Sequence, residues 1–277
     1  MNIQRIAAFS DGETGGNPAG ILIAEVLPEA TEMQQIAAEV GFSETAFATP
    51  IHGGWRVRYF SPESEVPFCG HATIALGAAL ALEYGDGVFP LTLNHADISV
   101  EGHADGKSLS ATLQSPPTRS AVATDLMLRE AMDLFGYTAE DLDPSIPPAQ
   151  IHGGSSHMVL ALKSREKLKS MVYDLEAGRA FMERYGLTTV ALVYAETAQL
   201  FHTRNPFASG GVFEDPATGA AAAAFAGYLR DLQWPHGGSI DLIQGEDMGM
   251  RSLLHAEITP VIGASIRISG KARVMDA

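Results

Sequence analysis

The stretch Glu65–Leu82, "EVPFCGHATIALGAALAL", decides how the chain must fold. From Ala72 to Leu82 no residue carries a charge. A helix of this composition has no polar face to turn to water, so it must be enclosed on every side. Its small side chains let strands come close. The same form returns at Phe213–Leu229, "FEDPATGAAAAAFAGYL". A thiol, a glycine and a histidine precede the first helix, and a carboxylate precedes the second.

The flanking order repeats as well. The strand-like run "RVRYFSP" leads through a loop to "CGHAT" and a helix. The run "QLFHTRNP" leads through a loop to "DPATG" and a helix. Duplication of a supersecondary unit predicts an α+β fold of two pseudo-symmetric halves, each an antiparallel barrel-like sheet around one central helix. Closely connected strands argue against a βαβ pattern throughout. The Pro-containing stretch Leu113–Ser120 reads as the linker. The halves are then 1–115 and 116–277, and the last strand either stays with the second half or packs back on the first. Elsewhere, "TEMQQIAAEVG" reads as a short helix with Thr31 and Gln34 at capping-box spacing and Gly41 as its stop. Thr124–Phe135 reads as another helix, and "SHMVLAL" and "TTVALVYA" as strands.

Composition excludes several classes. The chain has 277 residues, 46% apolar and 18% charged, which is a globular composition with ample core. A formal net charge of −15 argues against nucleic-acid binding, which needs clustered Lys and Arg. Cys69 is the single cysteine, so no intrachain disulfide forms, as suits a reducing compartment. The N-terminal residues lack the apolar run of a signal peptide, and no stretch reaches the ~18 apolar residues of a membrane span. The expectation is a cytoplasmic protein with no membrane partner. The 9 histidines show no metal-site spacing, so no metal is assigned. The "DGETGGNPAG" loop is neither a P-loop nor a dinucleotide fingerprint, and "GGSSH" is not a serine-hydrolase elbow.

Chemistry concentrates at the helix starts. Backbone N–H groups there have no intrahelical partner, and the helix dipole adds positive character. Gly70, and Thr218 with Gly219, let an anion approach closely. A cleft receiving both starts would hold a small carboxylate without Lys or Arg. Glu44, in "GFSETAFAT", shares a strand face with Phe42 and Ala46 by period-two alternation. A carboxylate on that face, partly withdrawn from water, is suited to carry a proton. Each residue also has a plainer reading: Glu44 as an exposed edge-strand residue, Asp215 as a helix N-cap, His71 as a buried imidazole and Cys69 as a small core residue. His152 and His157 read as Gly/Ser-loop residues, near the cleft or solvated.

The segments "GGNPAGIL", "GFSETAF", "YFSPESEVPFCGHAT", "EDPATGAAAAA" and "QGEDMGMRS", spanning residues 16–252, resemble the PhzF family of phenazine-biosynthesis-like isomerases. The resemblance implies a diaminopimelate epimerase-like fold with the active site between the halves, acid/base chemistry without a cofactor, and a homodimer. It assigns Glu44, His71 and Asp215 as catalytic residues. Substrate binding falls to Asn17, Cys69, Gly70, Thr218, Gly219 and the Ala220 backbone. Two departures stand out. Related epimerases carry a cysteine in each half, whereas Asp215 holds the second place here. Many relatives carry a serine where this chain has Ala220. The expected activity is a proton shift on a small carboxylate-bearing substrate. A non-catalytic metabolite-binding protein, or an epimerase pairing Glu44 with Cys69 or Asp215, are the alternatives.

Overall fold

A computed structural model describes residues 3–106 and 108–275. The chain divides into two compact units, Met1–Gln114 with Ser269–Ala277, and Ser115–Ile268.

In the first unit the elements run β1 (Gln4–Ala8), β2 (Asn17–Ile23), α1 (Ala30–Val40), β3 (Glu44–Ile51), β4 (Gly54–Phe60), β5 (Glu65–Val66), α2 (Gly70–Tyr84), β6 (Gly87–Thr92), β7 (Asp97–Asp105) and β8 (Ser108–Gln114). β1 pairs antiparallel with β2, β2 parallel with β3, and β3 antiparallel with β4. β4 then pairs antiparallel with β5 and parallel with β6, which starts a β6–β7–β8 meander. Parallel neighbours need a crossover, and α1 and α2 supply them.

The second unit contains β9 (Arg119–Val122), α3 (Asp125–Phe135), β10 (Ala149–His152), β11 (Ser156–Ala161), α4 (Arg165–Lys169), α5 (Leu175–Tyr185), β12 (Thr189–Ala195), β13 (Leu200–Phe207), β14 (Val212–Asp215), α6 (Gly219–Asp231), β15 (Ser239–Gln244) and β16 (Ser252–Glu257). Its pairings follow the same scheme. β10 is antiparallel to β11, β11 parallel to β12, and β12 antiparallel to β13. β13 is antiparallel to β14 and parallel to β15, which is antiparallel to β16. The duplication seen in the sequence is thus a duplication of strand pairing. The final strand, β17 (Arg267–Val274), pairs antiparallel with β1 from Ala272 to Val274.

The two apolar helices are enclosed as their composition demands. Every residue from Gly70 to Ala81 in α2, and from Gly219 to Arg230 in α6, is buried. Close approach is built in: a Cβ at Gly102 of β7 would fall on the carbonyl oxygen of Gly77 in α2. The sheets' other faces take amphipathic helices. Met33 and Ala37 of α1 pack with Leu22, Phe47 and Phe60. Met127, Ala131 and Phe135 of α3 and Phe181 and Met182 of α5 pack with Met158, Leu160, Val190 and Leu192. No helix among the described residues is long and apolar enough to cross a membrane.

Two local expectations are corrected. Helix α1 starts at Ala30 with Glu29 as its N-cap, so Thr31 lies inside it and no capping box forms. The Gln34 amide instead donates to the Ser61 carbonyl at 2.7 Å, tying α1 to the loop after β4. Neither His152 nor His157 is a loop residue: His152 ends β10 and pairs with Ser156. His157 is fully buried in β11, where its Nδ1 lies 2.7 Å from Thr189 Oγ1 and its Nε2 2.9 Å from Ser155 Oγ. The Thr189 hydroxyl donates onward to Asn205 Oδ1, so Nδ1 carries the proton and Nε2 accepts from Ser155.

Two outcomes follow from this packing. Gly102→Ala is expected to cost about 1–3 kcal/mol, because backbone rather than a flexible side chain blocks the new methyl. A lowered urea midpoint checks it, and an unchanged midpoint contradicts it. Burial pushes the His157 imidazole down to about 3, against ~6.5 in the unfolded chain. Between these values the unfolded chain binds a proton that the folded chain does not. The resulting stability is fully present above pH ~6.5 and is lost as pH falls towards ~3, by up to about 1.4 kcal/mol per pH unit. His157→Gln is expected to remove about one proton from that acid-side slope in urea unfolding at several pH values. An unchanged slope contradicts the assignment.

Candidate active site

In the first unit the site is assembled by the ends of β3 and α2. Glu44 is the first residue of β3, which lies between β2 and β4 and is no edge strand. It is 8% exposed. Phe42 precedes the strand, so the alternation that starts at Glu44 continues through Ala46 and Ala48. Cys69 is the N-cap of α2, in extended conformation and without a side-chain cap hydrogen bond. Gly70 and His71 form the first turn. The Thr73 N–H makes the first helical bond, to the Cys69 carbonyl at 3.0 Å. The N–H groups of Gly70, His71 and Ala72 therefore have no acceptor within the helix.

The His71 ring sits between an acid and a thiol. Its Nε2 lies 3.5 Å from Glu44 Oε2, and its Nδ1 lies 3.3 Å from Cys69 Sγ. Ser43 Oγ is also 3.5 Å from Nε2. All three of Glu44, Cys69 and His71 are buried. The turn is held from behind. Thr73 Oγ1 donates to the Cys69 carbonyl at 2.6 Å and lies 2.7 Å from the hydroxyl of Tyr59 on β4. Burial pushes the Tyr59 phenol far up, so it stays neutral and serves as a fixed hydrogen-bonding group. Asn17, the first residue of β2, is 2% exposed and pairs with Ala8 of β1.

The second unit builds a comparable helix start. Asp215 ends β14 and is buried. The N-cap of α6 is Thr218, not Asp215. The carboxylate instead accepts from the Thr218 hydroxyl at 2.5 Å, three residues along the chain. Gln244 of β15 completes the support. Its Oε1 accepts from the Thr218 N–H at 3.1 Å, and its Nε2 donates to the Asp215 carbonyl at 2.8 Å and to Thr218 Oγ1 at 3.0 Å. The first helical bond runs from the Ala222 N–H to the Thr218 carbonyl, so the N–H groups of Gly219, Ala220 and Ala221 have no acceptor within α6. The Gly153 backbone lies against this turn: a Cβ there would sit 2.8 Å from the Ala224 nitrogen and 3.1 Å from the Ala220 carbonyl.

Residue-level reading missed the supports. Gln244 lies in "QGEDMGMRS", but nothing local marks it as the amide that fixes α6. Gly245 follows it in the left-handed region at φ 71°, where a Cβ would strike the Met250 and Pro216 carbonyls. Arg204 and Glu214 form a buried bidentate pair, Nε to Oε1 at 3.0 Å and Nη2 to Oε2 at 2.5 Å. The pair anchors β14 one residue before Asp215. Arg204 Nη1 also donates to the Lys169 carbonyl at 2.9 Å, which satisfies the buried guanidinium.

A family model for phenazine biosynthesis-like proteins matches residues 6–277. A trans-2,3-dihydro-3-hydroxyanthranilate isomerase of Pseudomonas fluorescens is 30% identical over 258 residues, covering 91% of this chain and 88% of that one. Kinship at this level places the chain among isomerases. The crystal structure of a Bacillus anthracis PhzF-family phenazine biosynthesis protein matches with a TM-score of 0.86 at 22% identity, covering 99% of this chain and 96% of that one. A hydroxyproline epimerase from Agrobacterium vitis matches with a TM-score of 0.67 at 12% identity, covering 99% of this chain and 88% of that one. These two structures bear on fold alone, and they show the same epimerase-like α+β architecture. The chain belongs to the PhzC-PhzF family of phenazine biosynthesis-like proteins.

Proposed function

We propose that the chain is a cofactor-independent isomerase that moves a proton on a small carboxylate-bearing substrate, with Glu44 as the proton carrier. One observation carries this reading. Glu44 is a buried carboxylate 3.5 Å from an imidazole, beside a helix start whose first N–H groups have no intrahelical acceptor. Glu44 takes a proton from a carbon acidified by its neighbours. The electron pair moves into the substrate, and the negative charge that develops is stabilised by the α2 start. Glu44 then returns the proton to a second carbon. His71 holds the carboxylate and shares the proton. In the second unit, Asp215 fixes the first turn of α6 through Thr218, so that the N–H groups of Gly219 and Ala220 are held in place for an anionic group.

The substrate of the Pseudomonas relative, a cyclic amino-acid-like acid, sets the class to test first. Ala220 offers no hydroxyl where the resemblance places a serine, so the panel extends to other cyclic amino and hydroxy acids. An epimerase is the second reading, favoured by the Cys69 thiol 3.3 Å from the same imidazole. Inversion at one carbon, without a shift between carbons, would distinguish it. Ligands that raise the thermal midpoint but never exchange would identify a metabolite-binding protein instead.

The test is solvent deuterium incorporation across that panel, starting with trans-2,3-dihydro-3-hydroxyanthranilate. Glu44→Gln is expected to slow incorporation about 10²–10⁴-fold, the usual contribution of a general base, while the thermal midpoint stays close to the parent's. Incorporation at the parental rate would show that Glu44 is not the base.

A further inference from the structure

We infer that Cys69 is a positioning residue: its thiol donates to His71 Nδ1 and so fixes the imidazole as the tautomer whose Nε2–H faces Glu44. The ring stands between the two groups. Cys69 Sγ is 3.3 Å from Nδ1 and 4.0 Å from Nε2, whereas Glu44 Oε2 is 3.5 Å from Nε2. A neutral imidazole has one donor and one acceptor nitrogen, and the bond made by one decides the state of the other. A thiol is ordinarily protonated at neutral pH and can donate, while an ionised carboxylate only accepts. One direction satisfies both neighbours: S–H to Nδ1, then Nε2–H to Oε2. In the other tautomer Nε2 and Oε2 would face each other as two lone-pair atoms, which a buried site makes costly. A thiolate–imidazolium–carboxylate arrangement would place three charges where the chosen state has one. All three residues are buried, so desolvation disfavours it.

Local structure gives a reason for a cysteine at this place. Ser, Thr, Asp or Asn at an N-cap turns its oxygen back onto the first N–H groups of the helix. Cys69 makes no such side-chain cap bond, and its sulfur is directed at the ring instead. The backbone that carries the sulfur is fixed, because Thr73 holds the Cys69 carbonyl through its N–H at 3.0 Å and its Oγ1 at 2.6 Å. Ser43 is the competitor. Its Oγ is also 3.5 Å from Nε2, and its hydroxyl can donate there once Nε2 is bare. Removing the thiol proton lets Nε2 accept from Ser43 and present a lone pair to Glu44. With the proton held on Nε2, the ionised Glu44 carboxylate keeps an N–H partner while it waits for the carbon acid. That consequence rests on the function proposed above, whereas the tautomer itself does not.

The experiment is long-range proton–nitrogen correlation NMR of the isotopically labelled histidine rings at about pH 7.5, above the ordinary imidazole range. The His71 ring is the pattern lost in His71→Gln or, should that chain not fold, the one with nuclear Overhauser contacts to Cys69. The expected result in the parent is one proton on Nε2 and a bare Nδ1. Cys69→Ser retains a donor and should keep this pattern, while Cys69→Ala should shift it towards Nδ1–H. A proton on Nδ1 alone in the parent, or protons on both nitrogens, overturns the assignment, and this needs no variant to fold. An unchanged pattern in Cys69→Ala overturns the role of the thiol. Deuterium exchange is the second readout. In Cys69→Ala kcat is expected to fall roughly 3–10-fold, the worth of one hydrogen bond, with KM close to the parent's and most of the loss recovered in Cys69→Ser. A shifted ring pattern with kcat unchanged overturns the positioning role. Failure of the parent to exchange any substrate refutes the function proposed above and leaves the ring pattern to decide this inference.

Discussion

A helix without a polar face can survive in water only if protein covers all of it. Most of this structure follows from that demand, made twice. Helices α2 and α6 are each buried along their first twelve residues, from Gly70 to Ala81 and from Gly219 to Arg230. The covering strands must come from both sides of the helix in the chain, which requires parallel neighbours and crossovers among otherwise antiparallel strands. Alanine and glycine set how close those strands come.

Enclosure has an electrostatic consequence. A helix buried along its length still begins with N–H groups that lack internal acceptors, and leaving them unmet is costly. Polar residues therefore gather at the two starts. At α2 they are Glu44, Cys69 and His71, with Thr73 and Tyr59 behind them. At α6 they are Asp215, Thr218 and Gln244. Neither first turn contains an acidic residue or a side-chain cap. Such a start is suited to receive an anion from outside the helix. The same enclosure that stabilises the fold thus concentrates its chemistry.

The enclosed helices were legible in the sequence because composition alone forbids them a wet face, and Gly41 ends α1 as read, at φ 72°. The repeat was legible because each apolar run follows a strand and a short loop. Contacts across the chain were not. Glu44 reads equally well as a solvated edge residue until β3 is seen between β2 and β4. Asp215 reads as an N-cap until Thr218 is seen to take that place and the carboxylate to hold its hydroxyl. Gln244 and His157 gave no local signal, since an amide or imidazole becomes structural only through partners that the sheet brings to it. Thr31 misled because capping-box spacing recurs inside helices.

The central claim is that one carboxylate, withdrawn from water, carries the proton between two positions. If Glu44 is that carrier, its burial limits exchange of the proton with solvent during the lifetime of the intermediate. The most direct measurement is a single turnover, in ordinary water, of a substrate deuterated at the carbon that loses its proton. The account predicts deuterium at the receiving carbon of a measurable fraction of the product. Complete loss of label to solvent from the first turnover would contradict it.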